Sequence, residues 1–338
     1  MTRPVRMSDV AKLAQVGTMT VSRVLKGNVR VSDETKSRVL DAVARLNYQP
    51  NEVARSLREQ RTHQLGIIVP NLHDPFFAVC AQSISMVAKQ HSYSTLITTS
   101  DEDPKTELME AKRMLRRHIE GLIIIPARGK TLLSDPEFAH TPIVTLDRPV
   151  LGSPFDCVVV ENKNGSQMGV QHLIEHRHRR ITCLGLTLEL WTMKQRLNGY
   201  SAAMTAAGLK TDFCVVTESQ QDMLQAVRAL LHRRYPPTAF FCSNNLTMRN
   251  TLHALSTLKV RVPEEIAIIG FDDFDMADIF HPAITVVRQP GDAMGRIGAE
   301  LLFSRLATSK RQEKPKLIVL PVELVVRRSC GTHDHQDI

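Results

Sequence analysis

Two rhythms of apolar residues divide the chain. Over the first 48 positions apolar residues recur at helical spacing, and no alternating strand pattern appears. Val10, Leu13 and Ala14 mark one helix, Val21, Val24 and Leu25 a second, and Val39, Leu40, Val43 and Leu46 a third. Ser32 stands where an N-cap belongs. Asp33 and Glu34 follow it in the first turn, where carboxylates suit the positive end of a helix. Only Gln15–Gly17 separates the first two helices, which leaves room for nothing but a sharp turn. Two helices joined this way predict a helix-turn-helix whose second member enters the DNA major groove. Pro50 then ends the third helix, and Asn51 can cap a short one from Glu52 to about Arg58. That segment is far below the ~12–15 residues at which isolated helices become stable, so a hinge ordered by a partner is expected.

From Leu65 the rhythm changes. Short continuous apolar runs (LGIIVP, STLITTS, GLIIIPA, PIVTLD, CVVVEN, RITCLGL, TAFFCSNN, EIAIIGFDD, ITVVRQP) are separated by helical patterns at Ala78–His91, Lys105–His118, Lys163–His176, Gln195–Ala207 and Gln220–Arg233. Such runs belong to parallel strands covered on both faces, so the predicted class is α/β and doubly wound. Many runs finish in polar residues: Asn71, Asp147 with Arg148, Asn162, Asn244 with Asn245, Asp272 with Asp273, and Gln289. Ligands of open α/β sheets bind beyond the carboxyl ends of the strands, so this accumulation predicts a site for a polar small molecule.

Charge sharpens the division. The 338 residues carry a net +8, and residues 1–64 hold 3 Lys and 9 Arg against 6 Asp and Glu. A small basic module on a nearly neutral body points to a polyanion partner for that module. The six cysteines form no C-x-x-C pair and sit mostly in apolar runs, which predicts buried free thiols. The opening MTRPVRMSDVA has charge but no apolar stretch behind it, and no run reaches the ~18 residues of a membrane span. A cytoplasmic protein is therefore expected. No strand is followed by G-x-G-x-x-G, and P-loop and G-x-S-x-G signatures are absent, so no nucleotide cofactor and no enzyme activity is expected.

The segments DVAKLAQVGTMTVSRVL, LNYQPNEVARSL, GIIVPNLHDPFFA, IEGLIIIP, QRLNGY, VPEEIAIIGFDD and ITVVRQP, in this order from Met7 to Ser329, resemble the lactose/galactose-repressor (LacI/GalR) family. The resemblance implies a bacterial transcription regulator, acting as a homodimer on a palindromic operator under allosteric control by a small molecule. It implies a helix-turn-helix domain over 1–50, a hinge helix and linker over 51–62, and a periplasmic-binding-protein-like domain over 63–330. The two lobes of that domain would hold about 63–162 with 291–318, and 163–290 with 319–330. Residues 331–338 read as a polar tail, and without leucine heptads after Ser329 a dimer is expected rather than a tetramer.

The resemblance also assigns residues. Thr18 and Met19 fall where the family reads bases, with Thr20, Ser22 and Arg23 on phosphates or base edges. Arg6 and Gly17 replace hydroxyl residues usual at two helix starts. In the hinge, Leu57 takes the place of a leucine that wedges into a base step, with Asn51, Ala54, Arg55 and Arg58 around it. In the pocket, Phe76 and Phe77 match ring-stacking positions, Arg196 a forked donor, Asp272 an acceptor for paired hydroxyls, and Asn244, Gln289, Asp147 and Arg148 neighbouring strand ends. Trp191 is expected in the loop lining the cleft, either as a sugar platform or as packing. A sugar or sugar derivative is the expected effector. Arg196, Arg148 and Arg128 would also suit a sugar acid.

Two other classes remain open on sequence. A periplasmic-type sugar receptor would share the α/β body but lack the basic module. The stretch HLIEH, His172–His176, fits the H-x-x-E-H pattern of a zinc peptidase, with Glu175 in the acid position. No third ligand is evident, so a solvated helix end and no metal are expected there.

Overall fold

A computed structural model describes residues 5–25, 31–48, 61–129, 136–150, 152–307 and 314–331. The chain separates into two compact units, Met1–Thr62 and His63–Ile338. The hinge residues Asn51, Ala54, Arg55, Leu57 and Arg58 and the tail from 332 lie outside the described residues.

The first unit holds α1 (Met7–Leu13), α2 (Thr18–Leu25) and α3 (Asp33–Arg45). The Ser32 hydroxyl caps α3 by accepting from Thr35 N–H. After α1, Gln15 turns left-handed at φ 53°, and Val16 N–H closes on the Ala11 carbonyl at 3.0 Å, a Schellman-type stop. Asn47 at φ 45°, with Tyr48 N–H on the Val43 carbonyl, ends α3 the same way. Val10, Ala11, Ala14, Val21, Val24, Val39, Ala42 and Tyr48 form the core. Leu13 and Leu40, predicted to face it, are each 46% exposed. The small residues Ala11, Ala14 and Ala42 set the inward faces and let the helices approach closely, so the leucines are left on the flanks.

The second unit has two lobes. The first runs through β1 (Gln64–Val69), α4 (Pro75–Gln90), β2 (Ser94–Thr99), α5 (Pro104–Arg116), β3 (Gly121–Ile124), β4 (Ile143–Leu146) and β5 (Asp156–Val160). The second runs through α6 (Asn162–Glu175), β6 (Ile181–Gly185), α7 (Trp191–Ala206), β7 (Asp212–Val215), α8 (Gln220–Leu231), β8 (Ala239–Cys242), α9 (Asn245–Thr257), β9 (Ala267–Phe271) and β10 (Thr285–Arg288). The chain then returns through α10 (Gly291–Ala307) and β11 (Leu317–Leu320) to the first lobe and ends in β12 (Glu323–Val325) on the second.

The sheets are ordered β11-β5-β4-β3-β1-β2 and β12-β10-β9-β8-β6-β7, parallel except for β12 against β10. This is the doubly wound architecture predicted from the apolar runs. Leu320 still pairs with Val160, so the last crossing follows Leu320 and the predicted boundary at 318 cuts a strand. Asn162 is the first residue of α6 and so goes with the second lobe. Asp74 and Asp103 cap α4 and α5, each followed by Pro at the first helical position. A Cβ on Gly199 would meet the Lys163 carbonyl at 2.1 Å, and one on Gly295 the Cys80 carbonyl at 2.5 Å. These glycines let α7 press on α6 and α10 on α4, which fixes the helices flanking both sheets. Five of the cysteines are buried and Cys214 is half-buried, all as free thiols. Among the described residues no helix is long and apolar enough to cross a membrane.

Candidate functional site

Helix α2 presents a graded surface. Val21 and Val24 are buried, Thr20 and Ser22 half-buried, and Thr18, Met19 and Arg23 exposed. Met19 is 68% exposed, an apolar side chain on an outer face that the core does not use. Gly17 precedes the helix, its carbonyl accepting from Thr20 and Val21 N–H, and a Cβ there would meet open space. At α1, Arg6 holds the cap position in an extended conformation. Its backbone N–H donates to Asp9 at 2.9 Å. Arginine carries only donors, so the α1 cap is completed by the Asp9 carboxylate reaching back.

In the second unit the carboxyl ends of both sheets face one cleft of about 760 Å³. Phe76, Phe77, Asp147, Arg148, Arg196, Asn244, Asp272 and Gln289 all line it. Asp147 ends β4 at φ 64° and Asp272 ends β9 at φ 77°. Non-glycine residues rarely adopt this left-handed region, and its use at two strand ends turns both carboxylates into the cleft.

Arg196 is almost fully buried and engaged through Nε and Nη1. Its Nε donates to Asn162 Oδ1 at 2.7 Å, and Nη1 donates to the Ser243 carbonyl at 2.8 Å and to Asp272 Oδ2 at 3.2 Å. The guanidinium lies 3.8 Å over the Phe271 ring. Gln289 donates to the other Asp272 oxygen. Arg148 forks onto Glu102 through two bonds of 2.8 Å, and it also donates to the Pro126 carbonyl and to Asp147 Oδ2. Burial opposes the Arg148 charge, but Glu102 and Asp147 outweigh it and hold the guanidinium protonated. Burial raises the Asp147 carboxyl, with Arg148 and Arg196 working the other way. Asp147 Oδ1 and Gln289 Oε1 are buried with no hydrogen-bond partner among the described residues.

Asp74 was not singled out from sequence. Its carboxylate accepts from Phe76 N–H at 3.0 Å and, across the cleft, from Asn245 Nδ2 at 2.8 Å. Burial, then the charge of Asp272, push its pKa up to about 6. Arg128 of the first lobe stands 3.7 Å from Glu218 of the second. Two polar contacts therefore join the lobes directly.

Three sequence assignments change. Trp191 does not line this cleft. It is the first residue of α7 and borders an adjacent pocket with Val150, Glu189 and Lys194. Phe77 lines the cleft but is 7% exposed and packs into the first-lobe core, so Phe76 offers the larger ring face there. Asn244 lines the cleft, but its Oδ1 caps α9 by accepting from Thr247 N–H at 2.9 Å. Its neighbour Asn245 makes the cross-lobe contact.

A model of bacterial regulatory proteins of the lacI family matches residues 6–51, and a periplasmic binding protein-like domain matches residues 170–330. The HTH-type transcriptional repressor PurR of Klebsiella pneumoniae is 30% identical over 96% of this chain and 96% of its own length. The lac repressor dimer bound to operator and the anti-inducer ONPF superposes with a TM-score of 0.85 at 24% identity, over 98% of this chain and all of that one. A complex of the transcriptional regulator CelR with cellobiose gives a TM-score of 0.70 at 29% identity, over 97% of this chain and 100% of that chain.

Proposed function

This chain belongs to the lacI family of bacterial regulatory proteins, and on that premise we propose which operator contacts and which effector class its DNA-binding repressor function uses. Regulators of this kind are not enzymes, which removes the zinc-hydrolase alternative, and the match over residues 6–51 removes a receptor without a DNA role. The protein acts in the cytoplasm as a homodimer on a palindromic operator. Thr18 and Met19 read bases, Met19 through apolar contact with a thymine methyl, while Thr20, Ser22, Arg23 and Arg6 hold phosphates. Leu57 wedges the minor groove, flanked by Asn51, Ala54, Arg55 and Arg58. Operator affinity then falls steeply with salt, by about 0.9 in log–log slope per phosphate neutralised.

The effector is a neutral, hydroxyl-rich molecule of the sugar or polyol class. The observation that carries this reading is the pair of buried acceptors, Asp147 Oδ1 and Gln289 Oε1, which have no donor among the described residues. A buried acceptor left alone costs about 1–3 kcal/mol, so a ligand hydroxyl donating to it recovers that loss. The arginines that would hold a sugar acid already face carboxylates: Arg148 pairs with Glu102 and Asp147, Arg196 with Asp272, and Arg128 with Glu218. Asp74, Asp101, Glu102, Asp147, Glu218 and Asp272 line the cleft against Arg128, Arg148, Arg196 and Arg249, so its charge balance opposes an anion. The CelR–cellobiose complex is a relative with a sugar ligand of this kind. PurR likenesses raise a purine as the competing class, but of the two phenylalanines that line the cleft Phe77 is almost fully buried, which leaves a base little ring face to stack on.

Isothermal titration calorimetry against neutral pentoses, hexoses and disaccharides, their aldonic and uronic acids, and purine bases tests this. Binding is expected among the neutral compounds. Binding by a sugar acid or a purine with none by neutral sugars would overturn the assignment.

A further inference from the structure

At the end of α6, away from the cleft, a cluster of side chains has a different chemistry. His172 and His176 stand one helical turn apart on the same face, with ring centroids 4.3 Å apart. Cys330, distant in sequence and fully buried, lies beside them, its Sγ 3.1 Å from His172 Nε2. One ligand atom from each of the three residues falls within 4.8 Å of the others. Sequence spacing revealed the histidines but not the third residue.

We propose that His172, His176 and Cys330 form a zinc(II) site that ties the end of the chain to helix α6. A tetrahedral zinc with bonds of about 2.3 Å to sulfur and 2.0–2.1 Å to nitrogen sets its ligand atoms about 3.5 Å apart. The observed spacings reach that value with side-chain shifts of about 1 Å. The surroundings are built for ligation. His176 Nδ1 is 2.8 Å from the His172 carbonyl, a contact that requires Nδ1–H and makes Nε2 the lone-pair nitrogen. Metal-bound histidines are oriented by this kind of bond. Thr285 Oγ1 donates to the Cys330 sulfur at 3.3 Å, which fixes the orientation of the side chain. The preceding Ser329 is locked to the second sheet by bonds to Ile268 and Thr285, so the sulfur is held in place before any metal binds.

One thiolate with two imidazoles selects zinc over magnesium or calcium, which prefer oxygen ligands. Among the described residues His172, His176 and Cys330 are the three that gather there. On binding, the Cys330 S–H bond breaks, the S–Zn bond forms, and the proton leaves to water. The site lies toward the opposite end of α6 from Asn162, the partner of Arg196, about 15–21 Å along the helix. It is therefore a structural clasp on the second lobe, separate from the effector cleft.

The test uses full-length protein stripped with a chelator and titrated with zinc chloride, with magnesium chloride as control. One zinc per chain is expected, with the melting temperature raised by about 5 °C at zinc a hundredfold above its Kd and no effect of magnesium. Cobalt(II) in place of zinc gives a thiolate-to-metal charge-transfer band. Cys330→Ser abolishes that band, and His176→Gln, a half-buried position that the fold tolerates, weakens zinc binding at least tenfold. Absence of the band in the unsubstituted protein, or unchanged zinc affinity in His176→Gln, overturns the site.

Discussion

Asp74→Asn isolates one charge without altering a contact. Asp74 caps α4 and accepts from both Phe76 N–H and Asn245 Nδ2. Asparagine is as good a cap and offers the same acceptor oxygen, so only the carboxylate charge is lost. Burial and the nearby Asp272 hold the Asp74 pKa at about 6 against an ordinary 3.8. Because the folded pKa is raised, the fold favours the protonated acid. The stabilisation is complete below pH 3.8 and is lost as pH rises through 6. Two pKa units correspond to about 3 kcal/mol, and the side chain is only half-buried, so a realistic figure is about 1–2 kcal/mol. Near pH 4.5 the wild-type side chain is already neutral and the variant gains nothing. At pH 7.5 the variant melts higher by about 2–4 °C. Differential scanning fluorimetry of both proteins at the two pH values measures this directly. A melting difference that is the same at both pH values, or a variant less stable at pH 7.5, would refute the electrostatic account of the cleft.

Further outcomes follow from the same contacts. Asn245→Asp sets two carboxylates at the 2.8 Å spacing of the present bond. At an effective dielectric of 20 such repulsion is about 6 kcal/mol, so the lobes separate at pH 8 and close again at pH 5, read as a radius of gyration by small-angle scattering. Arg196→Ala leaves Asp272 buried without its cation and breaks three hydrogen bonds, costing about 3–5 kcal/mol and lowering the melting temperature by at least 6 °C. Met19→Ala, at an exposed position, leaves stability unchanged and weakens operator binding about tenfold in a gel-shift titration. Leu57→Ala weakens operator binding sharply while effector binding by calorimetry is unaltered, and equal operator affinity would remove the wedge.

What the sequence disclosed was local. The Ser32 cap, the bounds of α2 at Thr18 and Leu25, and the runs that became β1 to β6 and β8 to β10 carry their signals within a few residues, whereas β7 (Asp212–Val215) offers no such run. The start of α7 carries none. Leu190 occupies its cap position in an extended conformation without a side-chain cap bond, so the residue pattern marks the helix only from Gln195 and leaves Trp191 in a loop. Starting the helix four residues earlier moves the tryptophan into the first turn and toward the adjacent pocket. The same locality hid the pairings. Asp74 and Asn245 are 171 positions apart, and His172 and Cys330 are 158 apart. No periodicity or cap signal spans such distances. Only the winding of two sheets brings those strand ends and helix ends together.

The arginines show how this limit bears on function. Arg148 and Arg196 are legible as strand-end and helix cations, and counting them alone points to an anionic ligand. Charge in a cleft is decided by what remains after internal pairing, and here Glu102, Asp147 and Asp272 neutralise both guanidinium groups. Pairing turns the arginines from ligand-binding groups into struts that aim carboxylates. Arg196 joins Asn162 on α6, Ser243 after β8 and Asp272 after β9, and so fixes the second-lobe wall of the cleft. Arg148 does the same for Glu102 and Asp147 on the first lobe. Each wall thus presents acceptors held by a buried cation. A ligand whose hydroxyls donate to both walls, and to the lone acceptors Asp147 Oδ1 and Gln289 Oε1, draws the lobes together. An anion would have to break a strut before it could bind.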